Sequence, residues 1–585
     1  MKYPKIPLAQ TVIQLCKAKN IKHIVISPGS RNAPLTIGFS NDPFFKCYSV
    51  VDERCAAFFA LGIAQQIEAP VVVACTSGSA LLNYYPAVAE AFYSEIPLIV
   101  LSADRPKHLQ NIGDGQTINQ KNVFENHILH SANLKLDLKD ELNIPETENI
   151  PILRNIEDKL ERLLGLQKDI QSHNEKELND AINKATVKKG PVHINVPFDE
   201  PLYEMVDTLK VFPKNIEIEF EEPKMDSYIM DQCLNAWRKS KRKMILVGAY
   251  APNKIDQKWL SLLAKDDSIV VLTERTSNLN HGGFIPNIDT LIAPLQKEDF
   301  IKLQPEILIT FGGMVVSKKI KAFLREYQPK EHWHISDTRA YDTYFCLTQH
   351  IKEKPNYFFN EFLPKGELVK SSYRNYWTGI KLERAKKHKS YLDGIPFSDF
   401  KVFDTLFKTL PNDTILQIGN SSAIRYAQLF DIHKSIEVFC NRGTSGIDGS
   451  TSTAIGSAVA HKRQTNFITG DLSFFYDSNA LWNNYIPDSF RIIVINNGGG
   501  GIFRILPGHK NTENFDTFFE TKHQLTAQHL AEMYNFKYKK VTTQTDLVNA
   551  LTSFFKESKQ PKILEINTAE QSNDEVLLAY FKKLK

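Results

Sequence analysis

The chain has 585 residues, of which 42% are hydrophobic and 24% are charged, and its formal net charge at pH 7 is +4. This length is too great for one hydrophobic core and predicts about three domains with an ordinary soluble globular composition. The charge is nearly neutral and shows no basic stripe, which argues against a nucleic-acid partner. The longest apolar runs are too short to span a bilayer.

The N-terminus and the cysteines indicate a cytoplasmic location. The first stretch, MKYPKIPLAQTVIQLCKAKN, contains no apolar segment followed by a small-residue cleavage site, so no secretory signal is predicted. The seven cysteines show no CxxC or paired spacing, which favours reduced thiols over disulfides or a zinc site.

Short apolar segments alternate with longer amphipathic segments in the first part of the chain. HIVIS, PVVVACT and PLIVLSA are separated by ERCAAFFALGIAQQ (53–66) and SALLNYYPAVAEAFY (79–93), which have the length of helices. This rhythm predicts βαβ units and a parallel sheet buried on both faces. Residues 135–190 are charged and helical in pattern, and residues 204–226 are polar and rich in proline, which is typical of a linker.

Two more blocks of strands and helices follow. The second contains MILVGAY, IVVLTE, ILITFGG and HWHISD, and the third contains TILQIGN, IEVFCN, NFITGD, RIIVINN and KILEINT. An irregular stretch at 350–372 separates them. We therefore expect an α/β protein with three doubly wound parallel-sheet domains, at residues 1–200, 201–365 and 366–585.

Polar residues follow two consecutive strands of the third block. NFIT ends in Gly470-Asp471-Leu472-Ser473, and RIIVI ends in Asn496-Asn497, where Asn497 is 26 residues beyond Asp471 and four glycines follow it. Consecutive parallel strands end at one sheet edge, where ligands bind. A carboxylate, an amide oxygen and bare backbone at this edge fit Mg²⁺ bound to a diphosphate. For either residue alone, a helix cap or a plain turn is the more common explanation, and the combination favours the metal site.

These residues resemble the GDG…NN diphosphate signature of thiamine-diphosphate enzymes, with Leu472 replacing the last glycine of GDG. Further segments are similar to one branch of that family, the 2-succinyl-5-enolpyruvyl-6-hydroxy-3-cyclohexene-1-carboxylate synthases of menaquinone biosynthesis. They are ISPGSRNAPLT (26–36), VDERCAAFFALG (51–62), TSGSALLNYYPAVAEA (76–91), LSADRP (101–106), GPVHINVPFDEPL (190–202) and NRGTSGIDGSTSTA (441–454). The resemblance implies a pyrimidine-binding domain at 1–200, a central α/β domain at 201–365 and a diphosphate-binding domain at 366–585.

The resemblance also implies an activity, cofactors and partners. Thiamine diphosphate with Mg²⁺ or Mn²⁺ would support decarboxylation of 2-oxoglutarate and 1,4-addition of the succinyl-semialdehyde carbanion to isochorismate. A homodimer or a dimer of dimers, with active sites at the interface, is expected. Two alternatives stay open, namely another thiamine-diphosphate lyase or synthase of the acetolactate synthase or decarboxylase type, and a non-catalytic cofactor-binding regulator.

The cofactor-binding residues follow from the same resemblance. Glu53 matches the catalytic glutamate that bonds the cofactor's aminopyrimidine ring and promotes loss of the thiazolium C2 proton, although an acidic residue at a helix N-terminus is by itself ordinary. The metal ligands would be Asp471, Asn497 and the main-chain carbonyl of Gly499. The other cofactor-binding residues would be Ile447, Gly470, Leu472, Ser473 and Ile502.

Two dicarboxylate substrates require cationic side chains, and arginine offers a bidentate fork. The resemblance implies substrate-binding roles for Ser30, Arg31, Arg105, Gln116, Lys318, Lys319, Ser421, Arg425, Arg442, Phe503 and Leu506. Lys319 stands where the family has arginine, which keeps the charge and loses the fork. Ile502, Phe503 and Leu506 are expected to form an apolar wall that excludes water. Rim ion pairs and helix-end packing are the ordinary alternatives. Among the four glycines, Gly498 and Gly501 are expected to tolerate alanine first.

Overall fold

The computed structural model describes residues 2–110, 112–137, 166–218, 225–505, 513–569 and 571–585. The chain divides into two compact units. The first unit comprises Met1–Phe220, Ser452–Lys462 and Asn479–Ile486. The second unit comprises Glu221–Thr451, Arg463–Ser478 and Pro487–Lys585.

The first unit contains one six-stranded parallel sheet and one small antiparallel ladder. Its strands are β1 (Tyr3–Pro4), β2 (His23–Ile26), β3 (Lys46–Ser49), β4 (Val71–Cys75), β5 (Leu98–Asp104), β6 (Ser131–Asn133), β7 (Val192–Pro197) and β8 (Met205–Val206). Its helices include Pro7–Ala18, Ala33–Asn41, Glu53–Ile67, Ser79–Asn83, Tyr85–Tyr93 and Leu166–Lys188. Every residue of β4 and β5 is buried, as expected for apolar strands covered on both faces.

The second unit contains two further parallel sheets. The five-stranded sheet is built from β9 (Lys243–Val247), β10 (Ile269–Thr273), β11 (Ile307–Phe311), β12 (Glu331–Ile335) and β13 (Gln349–Ile351). The six-stranded sheet is built from β14 (Ile415–Ile418), β15 (Glu437–Phe439), β16 (Thr465–Gly470), β17 (Arg491–Asn496), β18 (Lys537–Val541) and β19 (Lys562–Asn567). These strands are rich in Ile, Leu and Val, and separate apolar clusters pack around each sheet.

Helices connect the strands of the second unit. They are Ser227–Lys239, Gln257–Leu263, Ile288–Ile292, Lys297–Leu303, Lys318–Glu326, Pro355–Phe362, Tyr373–Leu392, Asp399–Thr409, Ser422–Ala427, Asp471–Tyr476, Gln528–Met533, Gln544–Phe554 and Asn573–Leu584. The helix Ser450–Ala460 lies mostly in the first unit.

The three parallel sheets share one feature of strand order that positions the site. Their orders are β3-β2-β4-β5-β7-β6, β10-β9-β11-β12-β13 and β15-β14-β16-β17-β19-β18. In each sheet the first strand lies between the second and the third, so the chain reverses its winding direction there. Ligands bind beyond the carboxyl ends of strands at such a reversal. The α/β fold with three doubly wound sheets is therefore confirmed, and the exact domain boundaries stay a prediction.

Two segments from the last third of the chain belong to the first unit, which the sequence did not indicate. The helices Glu53–Ile67 and Ser450–Ala460 cross with their backbones in contact, because a Cβ on Gly62 would lie 2.1 Å from the Thr453 carbonyl oxygen and one on Gly456 would lie 2.1 Å from that of Phe59. The Tyr485 hydroxyl also accepts a bond from the Ser49 N–H. The helix crossing depends on two glycines that are far apart in the sequence, and no local pattern predicts that they pair.

Three expected segments differ in detail. SALLNYYPAVAEAFY forms two helices rather than one, because Pro86 lacks an N–H and its ring disturbs the preceding turn. The stretch 350–372, expected to be irregular, contains the helix Pro355–Phe362, which buries three phenylalanines in the core. The stretch 204–226, expected to be a linker, contains β8, which pairs with β1.

No helix in the described part of the chain combines the length and the apolar character needed to cross a membrane. All seven cysteines lie within that part, and they form no disulfide.

Candidate active site

Asp471 lies at the carboxyl end of β16, where it begins the helix Asp471–Tyr476. Its side chain is 2% exposed, and Oδ2 accepts hydrogen bonds from the N–H groups of Gly498 and Gly499 at 2.9 and 3.0 Å. The Nε2 atom of His523 lies 3.3 Å from the same oxygen. These contacts bring the GDLS and NNGGGG segments together, as the sequence predicts.

The glycine loop, residues 498–501, allows this close approach. Gly498 has φ +78° and Gly499 has φ +149°, which are conformations that side chains disfavour. A Cβ on Gly499 would lie 2.6 Å from the Glu520 carbonyl oxygen, and one on Gly501 would lie 3.0 Å from Nδ2 of Asn497. The expectation that Gly498 tolerates alanine is therefore wrong because of its backbone conformation, and alanine at Gly501 would press on Asn497.

The amide of Asn497 has one satisfied end and one unsatisfied end. Its Nδ2 donates to Oδ2 of Asp399 at 2.9 Å. Its Oδ1 is buried and has no hydrogen-bond partner among the described residues. Burial raises the pKa of Asp399 to about 6, while bonds from Thr568 and Asn497 act in the opposite direction.

The donor set fits a hard divalent cation. Unsatisfied buried oxygens are costly in a folded protein unless a ligand or water completes them. Asn497 Oδ1 is such an oxygen. The two residues that follow Asn497 hold the Asp471 carboxylate in place by donating their N–H groups to it. Carboxylate, amide and main-chain oxygens are the ligands that Mg²⁺ prefers.

Asn420 organises the loop that carries Ile447. It follows β14, is 2% exposed, and donates to the carbonyl oxygens of Asn441 and Gly446 at 2.7 Å each. The Ser473 hydroxyl donates to the Ile447 carbonyl oxygen at 2.7 Å. The backbone at Ile447 is thus tied to both strand ends, while its side chain remains 37% exposed. An exposed apolar side chain on a fixed loop suits contact with a ligand.

Arg425 and Arg442 form a cationic pair at this sheet edge. Arg442 donates to Oδ1 of Asn420 at 2.7 Å, and Arg425 donates to the Ser421 carbonyl oxygen at 2.6 Å. Burial lowers the pKa of Arg425, the nearby charge of Arg442 lowers it further, and the Asp289 carboxylate opposes these changes. Neither guanidinium has a carboxylate within ion-pair distance among the described residues. Ser421 has φ +64°, a strained conformation of the kind found at functional sites.

The remaining predicted residues of the second unit have different surroundings. Lys318 and Lys319 are exposed in the first turn of the helix Lys318–Glu326, and Nζ of Lys319 lies 5.5 Å from the Phe581 ring centroid. Ile502 and Phe503 lie in the short helical turn Gly501–Arg504 and are half-buried. Leu506 lies outside the described residues. Gly470 and Leu472 flank Asp471 directly.

The first unit gathers its predicted substrate-binding residues at the carboxyl edge of its sheet. Arg31 is 6% exposed, donates to the Phe198 carbonyl oxygen and pairs with Glu200 at 3.3 Å. Arg105 donates to the Gly115 carbonyl oxygen at 3.0 Å, next to Gln116. Burial lowers the pKa of Arg31, Glu200 opposes this change, and the charge of Arg105 adds to it. Ser30 and Gln116 are exposed, and Ser30 directly precedes Arg31 in the chain.

Glu53 is the first residue of the helix Glu53–Ile67 and is half-buried. The helix is capped by Asp52, whose side chain accepts from the Cys55 N–H at 3.1 Å and from the Asn479 side chain at 2.9 Å. Asp52 therefore serves as the cap, which leaves the Glu53 carboxyl available for another partner.

Two residues of the site were missed by the sequence interpretation. Asn420 could have been found from the sequence, since it stands two residues after the buried strand TILQI, where the winding reverses between β14 and β16. No sequence pattern indicated Asp399, because it is 98 residues from Asn497 and stands at an ordinary helix N-terminus.

Comparisons with known proteins agree with this geometry. Family models described as "Thiamine pyrophosphate enzyme, N-terminal TPP binding domain", "Middle domain of thiamine pyrophosphate" and "Thiamine pyrophosphate enzyme, C-terminal TPP binding domain" match residues 6–131, 217–418 and 417–566. Together these models span most of the chain.

Full-length relatives define the branch more closely. Proteins named 2-succinyl-5-enolpyruvyl-6-hydroxy-3-cyclohexene-1-carboxylate synthase from Flavobacterium psychrophilum and Christiangramia forsetii are 56% and 53% identical, over 100% of this chain and 100% of their own lengths. A protein with the same name from Porphyromonas gingivalis is 36% identical over 97% of this chain and 96% of its own length. The chain therefore belongs to the thiamine pyrophosphate enzymes and, within them, to the 2-succinyl-5-enolpyruvyl-6-hydroxy-3-cyclohexene-1-carboxylate synthase family.

Proposed function

We propose that the chain catalyses the thiamine-diphosphate-dependent decarboxylation of 2-oxoglutarate and the 1,4-addition of the remaining succinyl-semialdehyde unit to isochorismate. The product is the compound named in its relatives, 2-succinyl-5-enolpyruvyl-6-hydroxy-3-cyclohexene-1-carboxylate. This reaction places the enzyme in menaquinone biosynthesis. The family and the arrangement of charges both support the proposal.

The observation that carries the proposal is the Arg425–Arg442 pair. These two guanidinium groups are near each other and have no carboxylate within ion-pair distance among the described residues, although burial disfavours the charge of Arg425. Such a pair favours an anionic ligand, and arginine forks suit carboxylates. In the first unit, burial and the charge of Arg105 likewise lower the pKa of Arg31, but each of these arginines is ion-paired, Arg31 with Glu200 at 3.3 Å and Arg105 with Asp114 at 3.2 Å. Arginines at both sheet edges suit substrates that carry two carboxylates each.

Thiamine diphosphate, when bound, supplies the carbon centre that stabilises the negative charge left by decarboxylation. Asp471, the Asn497 amide oxygen and the Gly499 carbonyl would ligate Mg²⁺ or Mn²⁺ bound to its diphosphate. The exposed side chain of Ile447 would contact the cofactor from a loop fixed by Asn420 and Ser473. Ile502 and Phe503 would exclude water from the reacting groups, which protects a carbanion from protonation.

Glu53 would bond the cofactor's aminopyrimidine ring and exchange a proton with it. A general acid or base must lie within hydrogen-bond reach of its partner. The placement of Glu53 at a helix start, with capping assigned to Asp52, leaves its carboxyl free for that contact.

The assembly belongs to the same proposal. We expect a homodimer or a dimer of dimers in which Glu53 of one chain and Asp471 of another serve one active site. The cytoplasmic location expected from the reduced cysteines also stays a prediction.

The proposed function is tested by comparing 2-oxoglutarate and pyruvate as the 2-oxo acid substrate. The purified chain is supplied with thiamine diphosphate and Mg²⁺, and CO₂ release is measured from 2-oxoglutarate and from pyruvate, each with and without isochorismate. We expect release from 2-oxoglutarate, accelerated by isochorismate and matched by isochorismate consumption. Faster release from pyruvate without isochorismate consumption would instead support another 2-oxo acid lyase or synthase, and cofactor binding without turnover would support a regulator.

A further inference from the structure

The contact between Asp399 and Asn497 determines which end of an amide faces the candidate metal site. An ionised carboxylate only accepts hydrogen bonds, whereas an amide has one donating end and one accepting end. Oδ2 of Asp399 lies 2.9 Å from Nδ2 of Asn497. The amide therefore presents its NH₂ group to Asp399 and its oxygen away from it.

Asp399 is itself fixed in place. The carboxylate is 2% exposed, and its Oδ1 accepts a bond of 2.5 Å from the Thr568 hydroxyl. Its backbone N–H donates to Oδ1 of Asn573 at 2.7 Å, and Ser398 caps the helix that it begins. Asp399 cannot rotate without breaking at least one of these bonds, so it forms a rigid acceptor for Asn497.

The opposite end of the amide is the unsatisfied one. Oδ1 of Asn497 is buried and has no partner among the described residues. The next residue, Gly498, donates its N–H to Oδ2 of Asp471 at 2.9 Å. The unsatisfied oxygen therefore belongs to the residue directly before the N–H group that contacts the Asp471 carboxylate.

We propose that Asp399 is a positioning residue that fixes the Asn497 amide with its oxygen available to a divalent cation. This inference rests on the proposed metal site and adds a residue to it. Groups that orient metal ligands in this way commonly change metal affinity by about 10- to 100-fold when they are removed.

Mn²⁺ binding tests the proposal without relying on turnover. Binding to the full chain in the presence of thiamine diphosphate is measured by electron paramagnetic resonance. Asp399→Ala and the nearly isosteric Asp399→Leu both lack an acceptor, and we expect each to weaken Mn²⁺ binding by about 10- to 100-fold. Asp399→Asn retains an oxygen that can accept from Asn497, so we expect it to recover part of the affinity.

The matched control is Asp404→Ala. Asp404 lies on the same helix, is 5% exposed and bonds Lys408 rather than Asn497. We expect this control to bind Mn²⁺ as the parent chain does, even where thermal unfolding shows a similar loss of stability. Equal Mn²⁺ affinity in the parent and both acceptor-free variants, or an equal loss in Asp404→Ala, would overturn the positioning role.

The two proposals fail in different ways. If the parent chain binds no Mn²⁺ with thiamine diphosphate present, the metal site and the positioning role are both overturned. If the parent binds Mn²⁺, Asp471→Asn loses it and the acceptor-free Asp399 variants do not, only the positioning role is overturned.

Discussion

Side chains of the candidate site are oriented mainly by bonds to main-chain atoms. Asp471 accepts from three backbone N–H groups, Asn420 donates to two carbonyl oxygens, and Ser473 donates to the carbonyl oxygen of Ile447. Loop backbones are thereby fixed at the strand ends. Glu53 differs, because within the described part of the chain no such bond holds its carboxyl, and its proposed role depends on the cofactor.

Glu53→Gln should abolish proton exchange with the cofactor while leaving cofactor binding largely intact. We expect the turnover rate to fall by about 10²- to 10⁴-fold, the usual contribution of general acid–base catalysis. Steady-state rates and a thiamine-diphosphate titration measure the two effects separately. Glu68→Gln, at the other end of the same helix, is the matched control and should keep the parental rate. An unchanged rate in Glu53→Gln would reject the assigned role.

Gly499→Ala should destabilise the glycine loop. The added Cβ would lie 2.6 Å from the Glu520 carbonyl oxygen at a φ of +149°, and such strain costs about 1–3 kcal/mol. Urea denaturation of the variant and the parent chain measures the loss. Gly379→Ala is the control, since its Cβ meets nothing within 4 Å among the described residues and it lies inside the helix Tyr373–Leu392. Equal stability of Gly499→Ala and its parent would contradict the structural reason for glycine.

At the scale of elements, strand ends set the positions of loops and helix starts. Glu274 follows β10, and its carboxylate accepts from the N–H groups of Val316 and Ser317, just before the helix Lys318–Glu326. Glu274 therefore links one strand end to the segment that begins with the predicted Lys318 and Lys319. Burial raises the pKa of Glu274 to about 7, and the two backbone bonds oppose that change.

Glu274 should make stability depend on pH. Below its ordinary pKa of 4.5 the group is protonated in both the folded and the unfolded chain. Between pH 4.5 and about 7 the unfolded chain releases the proton while the folded chain retains it, so the free energy of unfolding falls as the pH rises. Relative to Glu274→Gln, which cannot titrate, the parent should lose roughly 3 kcal/mol across this interval and nothing further above it.

Urea denaturation of both chains at a series of pH values measures this difference. Subtracting the values for Glu274→Gln removes the contributions of all other titrating groups. A difference that stays constant with pH, or one that grows in favour of the parent chain, would contradict the assignment.

Local patterns predict much of the fold. For the site, they predict residues such as Asp471 and Asn497 but not the distant residues that contact them. The apolar runs HIVI, VVVAC and LIVLSAD form β2, β4 and β5, and the polar residues of GDLS and NN meet at one sheet edge. The bond between Asp399 and Asn497 joins residues 98 positions apart, and the helix crossing at Gly62 and Gly456 spans a still longer separation. Such pairs depend on tertiary packing and leave no periodic signal in one sequence.

At the scale of the whole molecule, the N-terminal and C-terminal sheets share the same strand order. The two orders are β3-β2-β4-β5-β7-β6 and β15-β14-β16-β17-β19-β18. In both sheets the first strand in chain order lies between the second and the third, and the sixth lies between the fourth and the fifth. In the proposed site the N-terminal sheet would supply Glu53, Arg31 and Arg105, and the C-terminal sheet would supply Asp471, Arg425 and Arg442. Catalysis as proposed requires both edges.

Mixing inactive variants tests whether two chains build one site. Glu53→Gln and Asp471→Asn chains should each be inactive alone. If Glu53 and Asp471 of different chains serve one site, a mixed dimer contains one intact site and one site with both changes. Mixed dimers isolated through two different tags should then regain roughly half of the parental rate. Mixed dimers that stay inactive would contradict the shared site.

In the proposed reaction this chain joins two dicarboxylic substrates by a new carbon–carbon bond. Supplying fully ¹³C-labelled 2-oxoglutarate with unlabelled isochorismate, thiamine diphosphate and Mg²⁺, and following the labelled carbons by NMR, shows whether that bond forms. We expect labelled CO₂ and one product in which the remaining labelled carbons are bonded to the ring of isochorismate. Labelled CO₂ accompanied only by free succinic semialdehyde, with isochorismate unchanged, would contradict the account.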